Sequence, residues 1–222
     1  MDYYKEKASS YFTRPRKDLI SFLPDGLALK VLEVGAGGGD TLIELKRSGK
    51  ASEVAGIELF SLTNTHQNNS LIDQFIIGNI EEMKPDLNIN HYDAILFGDI
   101  LEHLIDPWSV IKKVSAYLKP GGLMIASIPN IRSRQAFKKI FLKGDFGYTS
   151  QGLFDKTHYR WFCKKNMIDL LTPPSFELVS VTSNLELKNG SGTRILNRLT
   201  GRVFEEFLTV QFITVSRKIN GE

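Results

Sequence analysis

At 222 residues, with 42% hydrophobic and 24% charged side chains, the chain has the composition of one globular domain with a sizeable core. A net charge of +3 is too small to argue for a nucleic-acid footprint, and the single cysteine, Cys163, excludes an internal disulfide and a cysteine-only zinc site. No apolar run is long enough to span a membrane, and the charged start, Met1-Asp-Tyr-Tyr-Lys-Glu-Lys7, lacks the apolar stretch of a signal peptide; a cytoplasmic single domain over residues 1–222 is the expectation.

Residues 2–23 predict an amphipathic helix with Tyr4, Ala8, Tyr11, Leu19, Phe22 and Leu23 on its apolar side. A strand over Lys30–Val34 runs into the glycine-rich stretch 35–39, and a helix over Asp40–Ser48 follows. Strands are predicted at Glu53–Ile57, Gln74–Ile77, Tyr92–Phe97 and Leu123–Ile128, with helices between them at about Ser61–Ser70 and at Pro107–Leu118. Asp106 caps the latter helix, Pro107 suits its first turn, Trp108 reads as core, and Lys119-Pro-Gly-Gly122 stops it. Two late strands, about 176–183 and 208–215, form a candidate antiparallel pair. Strands alternating with helices imply an α/β fold: a doubly wound, mostly parallel sheet with helices on both faces.

Three segments fall outside this alternation. Residues 1–28 read as an N-terminal helical lid, and 129–160 and 184–206 as insertions at an acceptor site, the second with a helical pattern from Thr193 to Phe207. Long connections in a compact domain usually carry function or are disordered.

Chemistry concentrates at the strand ends. Glu33-x-Gly35-x-Gly37-x-Gly39 lets the backbone turn sharply and approach a ligand, in front of a helix N-terminus that offers free N–H groups. A nucleotide-like ligand or a carboxylate suits that site; a Gly-rich surface turn is the plainer reading. A dinucleotide fingerprint would have glycine where this chain has Asp40, so the loop leans away from NAD. Glu58 ends the second strand, either as a ribose acceptor or as a solvated charge. Asn79 follows the third strand, as a hydrogen-bond acceptor or as the cap of the next helix. Phe97-Gly98-Asp99 ends the fourth, and all of these fall on the carboxyl edge where doubly wound sheets bind ligands.

The first motif, Phe97-Gly-Asp-Ile-Leu-Glu-His-Leu-Ile-Asp-Pro-Trp108, Leu118-Lys-Pro-Gly-Gly122, Ser127-Ile-Pro-Asn130, Gly152-Leu-Phe-Asp-Lys-Thr-His-Tyr-Arg-Trp-Phe162 and Tyr11 with Arg14 together resemble a bacterial and archaeal family of class I S-adenosylmethionine (SAM) methyltransferases. Its members are often associated with surface-polysaccharide and O-antigen synthesis, and it is related to the ubiquinone-pathway O-methyltransferases. The resemblance covers about residues 3–183 and implies a Rossmann-like seven-stranded sheet closed by the late antiparallel pair. It implies SAM as cofactor, held by Tyr11, Arg14, Glu33, Gly35, Ala36, Gly37, Gly39, Glu58, Leu59, Asn79, Ile80, Phe97 and Gly98. Cys163 stands where the family has a helix-capping threonine, and Asn79 where it usually has aspartate.

Beside the expected methyl donor lie Asp99-x-x-Glu102-His103 and, 55 residues after His103, His158. Two carboxylates and two imidazoles suit a divalent ion such as Mg, and the pattern is similar to Glu-x-x-Glu-His in small-RNA 2′-O-methyltransferases and ubiquinone-pathway enzymes, where this region binds one. In a metal-free alternative, His103 is a general base and His158 a packing residue held by Asp155. His66 and His91 read as solvated. Arg132, Arg134, Lys138, Lys139 and Lys143 form a basic stretch, either a solvated face or a phosphate-binding rim.

The leading functional expectation is O-methylation of a sugar or glycan intermediate, a polysaccharide-biosynthesis role. The alternatives are a catechol-like acceptor on a quinone pathway and a non-catalytic SAM-binding protein. A small-molecule or glycan acceptor is the expected partner, with no strong nucleic-acid signal and no expectation for oligomeric state.

Overall fold

The computed structural model describes residues 13–26, 28–186 and 192–219. Strands β1 (Leu29–Val34), β2 (Ala51–Glu58), β3 (Gln74–Ile77), β4 (Tyr92–Gly98), β5 (Leu118–Pro129), β6 (Phe176–Ser183) and β7 (Gln211–Lys218) form one sheet in the order β3-β2-β1-β4-β5-β7-β6. The first five pair in parallel, and β7 runs antiparallel between β5 and β6. The expected architecture and its closing antiparallel pair are both present.

The central strands are apolar on both faces, as a sheet covered on two sides requires. Their side chains alternate between two cores. Leu32, Val34, Ile95, Phe97, Met124 and Ala126 face helices α3 (Pro107–Val114) and α5 (Lys164–Leu171), which contribute Val110, Val114, Met167 and Leu171. Val31, Ala94, Leu96 and Ile125 face α1 (Lys17–Ile20) and α2 (Asp40–Arg47), which contribute Leu19, Leu42 and Leu45. Asp106 caps α3 by accepting from the Ser109 N–H, with Pro107 in the first turn, as expected.

Several elements differ from the sequence reading. No helix forms over 61–70: Asn64 turns to φ 56°, the His66 N–H donates to Gly38 O, and Gln67 donates to the Gly37 and Phe60 carbonyls. This polar stretch binds the glycine loop instead of coiling. Of the helix expected over 2–23, the described residues contain only α1; residues 13–16, Pro15 among them, precede it without regular structure, and residues 1–12, Tyr4, Ala8 and Tyr11 among them, lie outside the described residues. α3 ends at Val114, and β5 begins at Leu118, before the Pro-Gly-Gly turn rather than after it. The Thr193–Phe207 pattern splits into α6 (Gly192–Leu199) and α7 (Glu205–Leu208) around Gly201 and Arg202, both at positive φ, and β7 starts at Gln211 rather than 208. Within 129–158, α4 (Arg134–Phe137) widens into a π-turn at Lys138–Leu142. Trp108 is 53% exposed, under the Arg160 guanidinium, and not in the core.

Candidate active site

The order of the strands reverses between β1 and β4, and a crevice opens there at the carboxyl edge. Gly35, at φ 76°, and Ala36 both donate their N–H to Ile57 O, tying the loop after β1 to β2. A Cβ on Gly35 would sit 3.0 Å from Ile100, so packing as well as φ demands glycine. Gly37 donates to Glu58 Oε2 at 2.8 Å, and Glu58 Oε1 accepts from Leu59 N–H. Burial raises the Glu58 pKa, opposed by these backbone donors.

Three cavities adjoin along this edge. One of about 250 Å³ holds Arg14, Glu33, Ala36, Gly37 and Gly98 from the expected set. A second, of about 340 Å³, is lined by Glu58, Leu59, Asn79 and Ile80, with Thr157 and Tyr159 from the long connection. A third, of about 220 Å³, contains Asp99, Glu102, His103, His158 and Gln211. His103 lines all three and is their junction.

Glu33 is 2% exposed, and one carboxylate oxygen, Oε2, has no hydrogen-bond partner. Burial pushes its pKa up to about 8, against the opposing hydrogen bond from Thr41 and the charge of Arg16. A buried carboxyl of this kind, facing a cavity, is suited to receive a cation.

Arg16 escaped the sequence reading. Its guanidinium donates to Asp99 at 2.9 Å, Ser127 Oγ at 2.8 Å and Asp18, and lies where a side chain on Gly98 would go. Burial would favour the neutral form, but Asp99 and Asp18 outweigh it and hold the guanidinium charged. Asp99, a non-glycine residue at φ 58°, also accepts from Ser127 Oγ and Gln211 Nε2. The structure therefore separates Asp99 from the metal set proposed by spacing: ligand atoms of Glu102, His103 and His158 lie within 4.8 Å of one another, without Asp99.

The imidazole rings of His103 and His158 lie edge to face with centroids 4.6 Å apart. His103 Nδ1 is 3.0 Å from both the carbonyl oxygen and Oγ1 of Thr157. Thr157 directs its own hydroxyl proton to Asp155 Oδ1 at 2.7 Å, so both threonine oxygens act as acceptors toward His103. His158 Nδ1 faces Leu153 O at 3.2 Å. In the neutral form, each ring would carry its proton on Nδ1, facing these oxygens. The Thr157 contribution had no signal in the sequence beyond its place one residue before His158.

Gly39 is the N-cap of α2 at φ 87°, and a Cβ there would meet Ile72. Phe97 is fully buried, with its side chain in the core on the sheet face opposite Leu96. No helix follows Asn79: its side chain donates to Glu82 and accepts from the Glu81 N–H within a turn at the cavity wall, so the expected cap has no helix to close. His91 is partly exposed and contacts Glu53 at 2.6 Å beside Lys30. His66 is partly exposed, 3.9 Å from Asp40.

A family of methyltransferase domains matches residues 4–181. The chain is 27% identical over 154 residues to a ubiquinone biosynthesis O-methyltransferase of Actinobacillus pleuropneumoniae, covering 66% of this chain and 58% of that protein. The chain thus spans about three-fifths of the length of such relatives. An S-adenosylmethionine-dependent methyltransferase from Mesorhizobium loti superposes with TM-score 0.62 at 14% identity, over 96% of this chain and 99% of its own. The 1,6-didemethyltoxoflavin-N1-methyltransferase of Burkholderia thailandensis, with S-adenosylhomocysteine bound, superposes with TM-score 0.60 at 15% identity, over 99% and 82%. A shared fold alone does not fix a reaction, but the family match extends over most of the chain: it belongs to the methyltransferase domain family and has the class I SAM-dependent methyltransferase fold.

Proposed function

We propose that the protein is a SAM-dependent O-methyltransferase whose acceptor is a small molecule with neighbouring hydroxyls, catechol-like rather than a glycan. The observation that carries this reading is the buried Glu102–His103–His158 cluster at the junction of the three cavities. The ubiquinone O-methyltransferases among its relatives favour a catechol over the sugar acceptor expected first.

The crevice fits SAM. Glu33 Oε2, buried and without a hydrogen-bond partner, answers the ammonium of the methionine moiety, and Arg14 lines the same cavity for its carboxylate. Glu58, Leu59, Asn79 and Ile80 offer the ribose and adenine surfaces in the second cavity. When bound, SAM supplies a methyl group already activated as a sulfonium. The chain's own residues hold the acceptor hydroxyl in line and take its proton at His103 Nε2, the nitrogen that Thr157 leaves as the base.

Glu102, His103 and His158 also fit a divalent ion: one oxygen and two imidazole nitrogens are close together, and each Nδ1 is hydrogen-bonded to a backbone carbonyl, as ligating histidines are. Such an ion would lower the pKa of a bound hydroxyl.

Single-turnover transfer from radiolabelled SAM to a panel of catechols, monophenols and sugars tests the reading. Methylation of catechols but not of singly hydroxylated analogues is expected; transfer only to sugars would overturn the acceptor class, and no transfer to any hydroxyl would overturn O-methylation.

A further inference from the structure

The long connection and the α6–α7 insertion meet in an apolar surface that the proposed chemistry does not use. The Phe137 ring stacks on Phe141 at 5.3 Å and meets Phe207 edge to face at 5.8 Å. Phe141 is 72% and Leu142 69% exposed, on the wide turn closed by the Lys143 N–H to Lys138 O hydrogen bond. The wide turn places these two side chains outward instead of back on the core. Val203 at 78% and Leu199 at 80% are further exposed apolar side chains in the insertion. Contiguous apolar surface of this kind marks an interaction site.

The surface is rimmed by positive charge. Arg134 and Lys138 line the groove beneath Phe137 and Phe207, and neither makes an ion pair among the described residues. Of the acidic groups nearby, Glu206 pairs with Arg132 and Asp145 with Lys139. Lys143 adds a further cation at the end of the wide turn. The groove, of about 590 Å³, shares Val210 as a lining residue with the acceptor cavity, so the two lie side by side.

We propose that this face docks on an anionic lipid surface, with Phe141 and Leu142 entering the headgroup layer and Arg134, Lys138 and Lys143 meeting lipid phosphates. Aromatic and aliphatic tips among cations are the composition that binds the bilayer interface. Charge complementarity selects the lipid: a second copy of this chain would bring the same cations face to face. Docking there turns the mouth of the acceptor cavity toward the membrane, within reach of an acceptor partitioned into lipid. No helix among the described residues is long and apolar enough to cross a membrane, so the attachment is peripheral.

The test is sedimentation of the full chain with phosphatidylcholine vesicles, with and without one-quarter phosphatidylglycerol. Binding to the anionic vesicles at least tenfold tighter than to the neutral ones is expected, weakening steeply with salt. Phe141→Ser and Lys138→Glu should each lose roughly fivefold or more in vesicle affinity, from about one interfacial contact or cation each, while methyl transfer to a water-soluble catechol stays unchanged. Circular dichroism and melting temperature check that both variants fold. Equal binding to neutral and anionic vesicles, wild-type affinity in both variants, or a dimer that Phe141→Ser splits without any vesicle binding would each overturn the proposal. The methyl-transfer assay in solution fails or succeeds independently, so loss of the proposed activity is read apart from loss of docking.

Discussion

His103 and Thr157 are joined twice: one imidazole nitrogen meets both the carbonyl and the hydroxyl oxygen of the threonine, each at 3.0 Å. The pair spans 54 residues of sequence and fixes both the orientation and the tautomer of the ring at the centre of the crevice. Thr157→Val keeps the shape and the carbonyl but deletes the hydroxyl acceptor. We expect kcat to fall by about tenfold with SAM affinity unchanged, and Thr157→Ser to restore most of it; general-base steps are worth roughly 10²- to 10⁴-fold, and this substitution removes part of one. A wild-type kcat in the valine variant would sink the positioning role.

His103→Ala should lower the methyl-transfer rate by about 10²-fold or more, while calorimetric SAM affinity changes little. If an ion is held by the cluster, activity falls with chelator and returns with a divalent cation, and His158→Ala abolishes the return. Chelator-insensitive turnover assigns the proton transfer to the imidazole alone.

Glu33 gives a pH prediction with a definite sign. Its pKa of about 8 in the free protein, against an ordinary 4.5, means that it is neutral at pH 7. Pairing with the SAM ammonium requires the carboxylate, so binding should release a proton and weaken as pH falls below about 8, by up to roughly tenfold per unit. For the free protein the folded pKa is the raised one. Its contribution to stability is fully present below 4.5 and is lost as pH rises toward 8. Glu33→Gln should therefore melt higher than wild type at pH 8, converge with it near pH 4, and bind SAM poorly. Calorimetry in buffers of different ionisation enthalpy counts the proton; none released would contradict the assignment.

Gly37→Val should reduce SAM binding by more than tenfold. The backbone there stands at φ 52°, where a β-branched residue is strongly disfavoured, and its N–H holds Glu58. Unchanged affinity in calorimetry would remove the glycine loop from the cofactor site.

Arg16→Met leaves Asp99 without its cation. Because Arg16 and Asp99 keep 20% and 36% side-chain exposure, solvent screens the pair, and a loss of about 1–2 kcal/mol is expected rather than the larger cost of a fully buried break. The melting temperature should fall by several degrees, together with SAM affinity.

The sheet and its binding edge were legible in the sequence because apolar strands between helices leave few packing solutions, and Glu33, Gly35, Gly37 and Glu58 carry their chemistry in their spacing. The stretch 61–70 misled because its polar residues suit one exposed helical face equally well; what decides it is the set of hydrogen bonds from His66 and Gln67 to the glycine loop. Trp108 misled through size alone, since its position on α3 turns it to solvent. Asp99 shares spacing with Glu102 and His103, but its positive φ turns it toward Arg16, and that partner lies 83 residues away. Contacts of that range are set by the assembled sheet, not by local pattern.

The same range bears on how the crevice is built in time. Arg16 reaches Asp99 and Ser127 across 83 and 111 residues, and Gln211 reaches Asp99 across 112. Loops of that length close late, once the sheet between them exists. We therefore expect this wall of the crevice to assemble late and to be among the first parts to detach in a partial opening. Hydrogen exchange at residues 13–20 should report an opening that costs less than global unfolding, and SAM should slow it in proportion to its occupancy. Retention of cofactor then serves as a gauge of whether the chain's two ends are in register, even where the central strands remain folded.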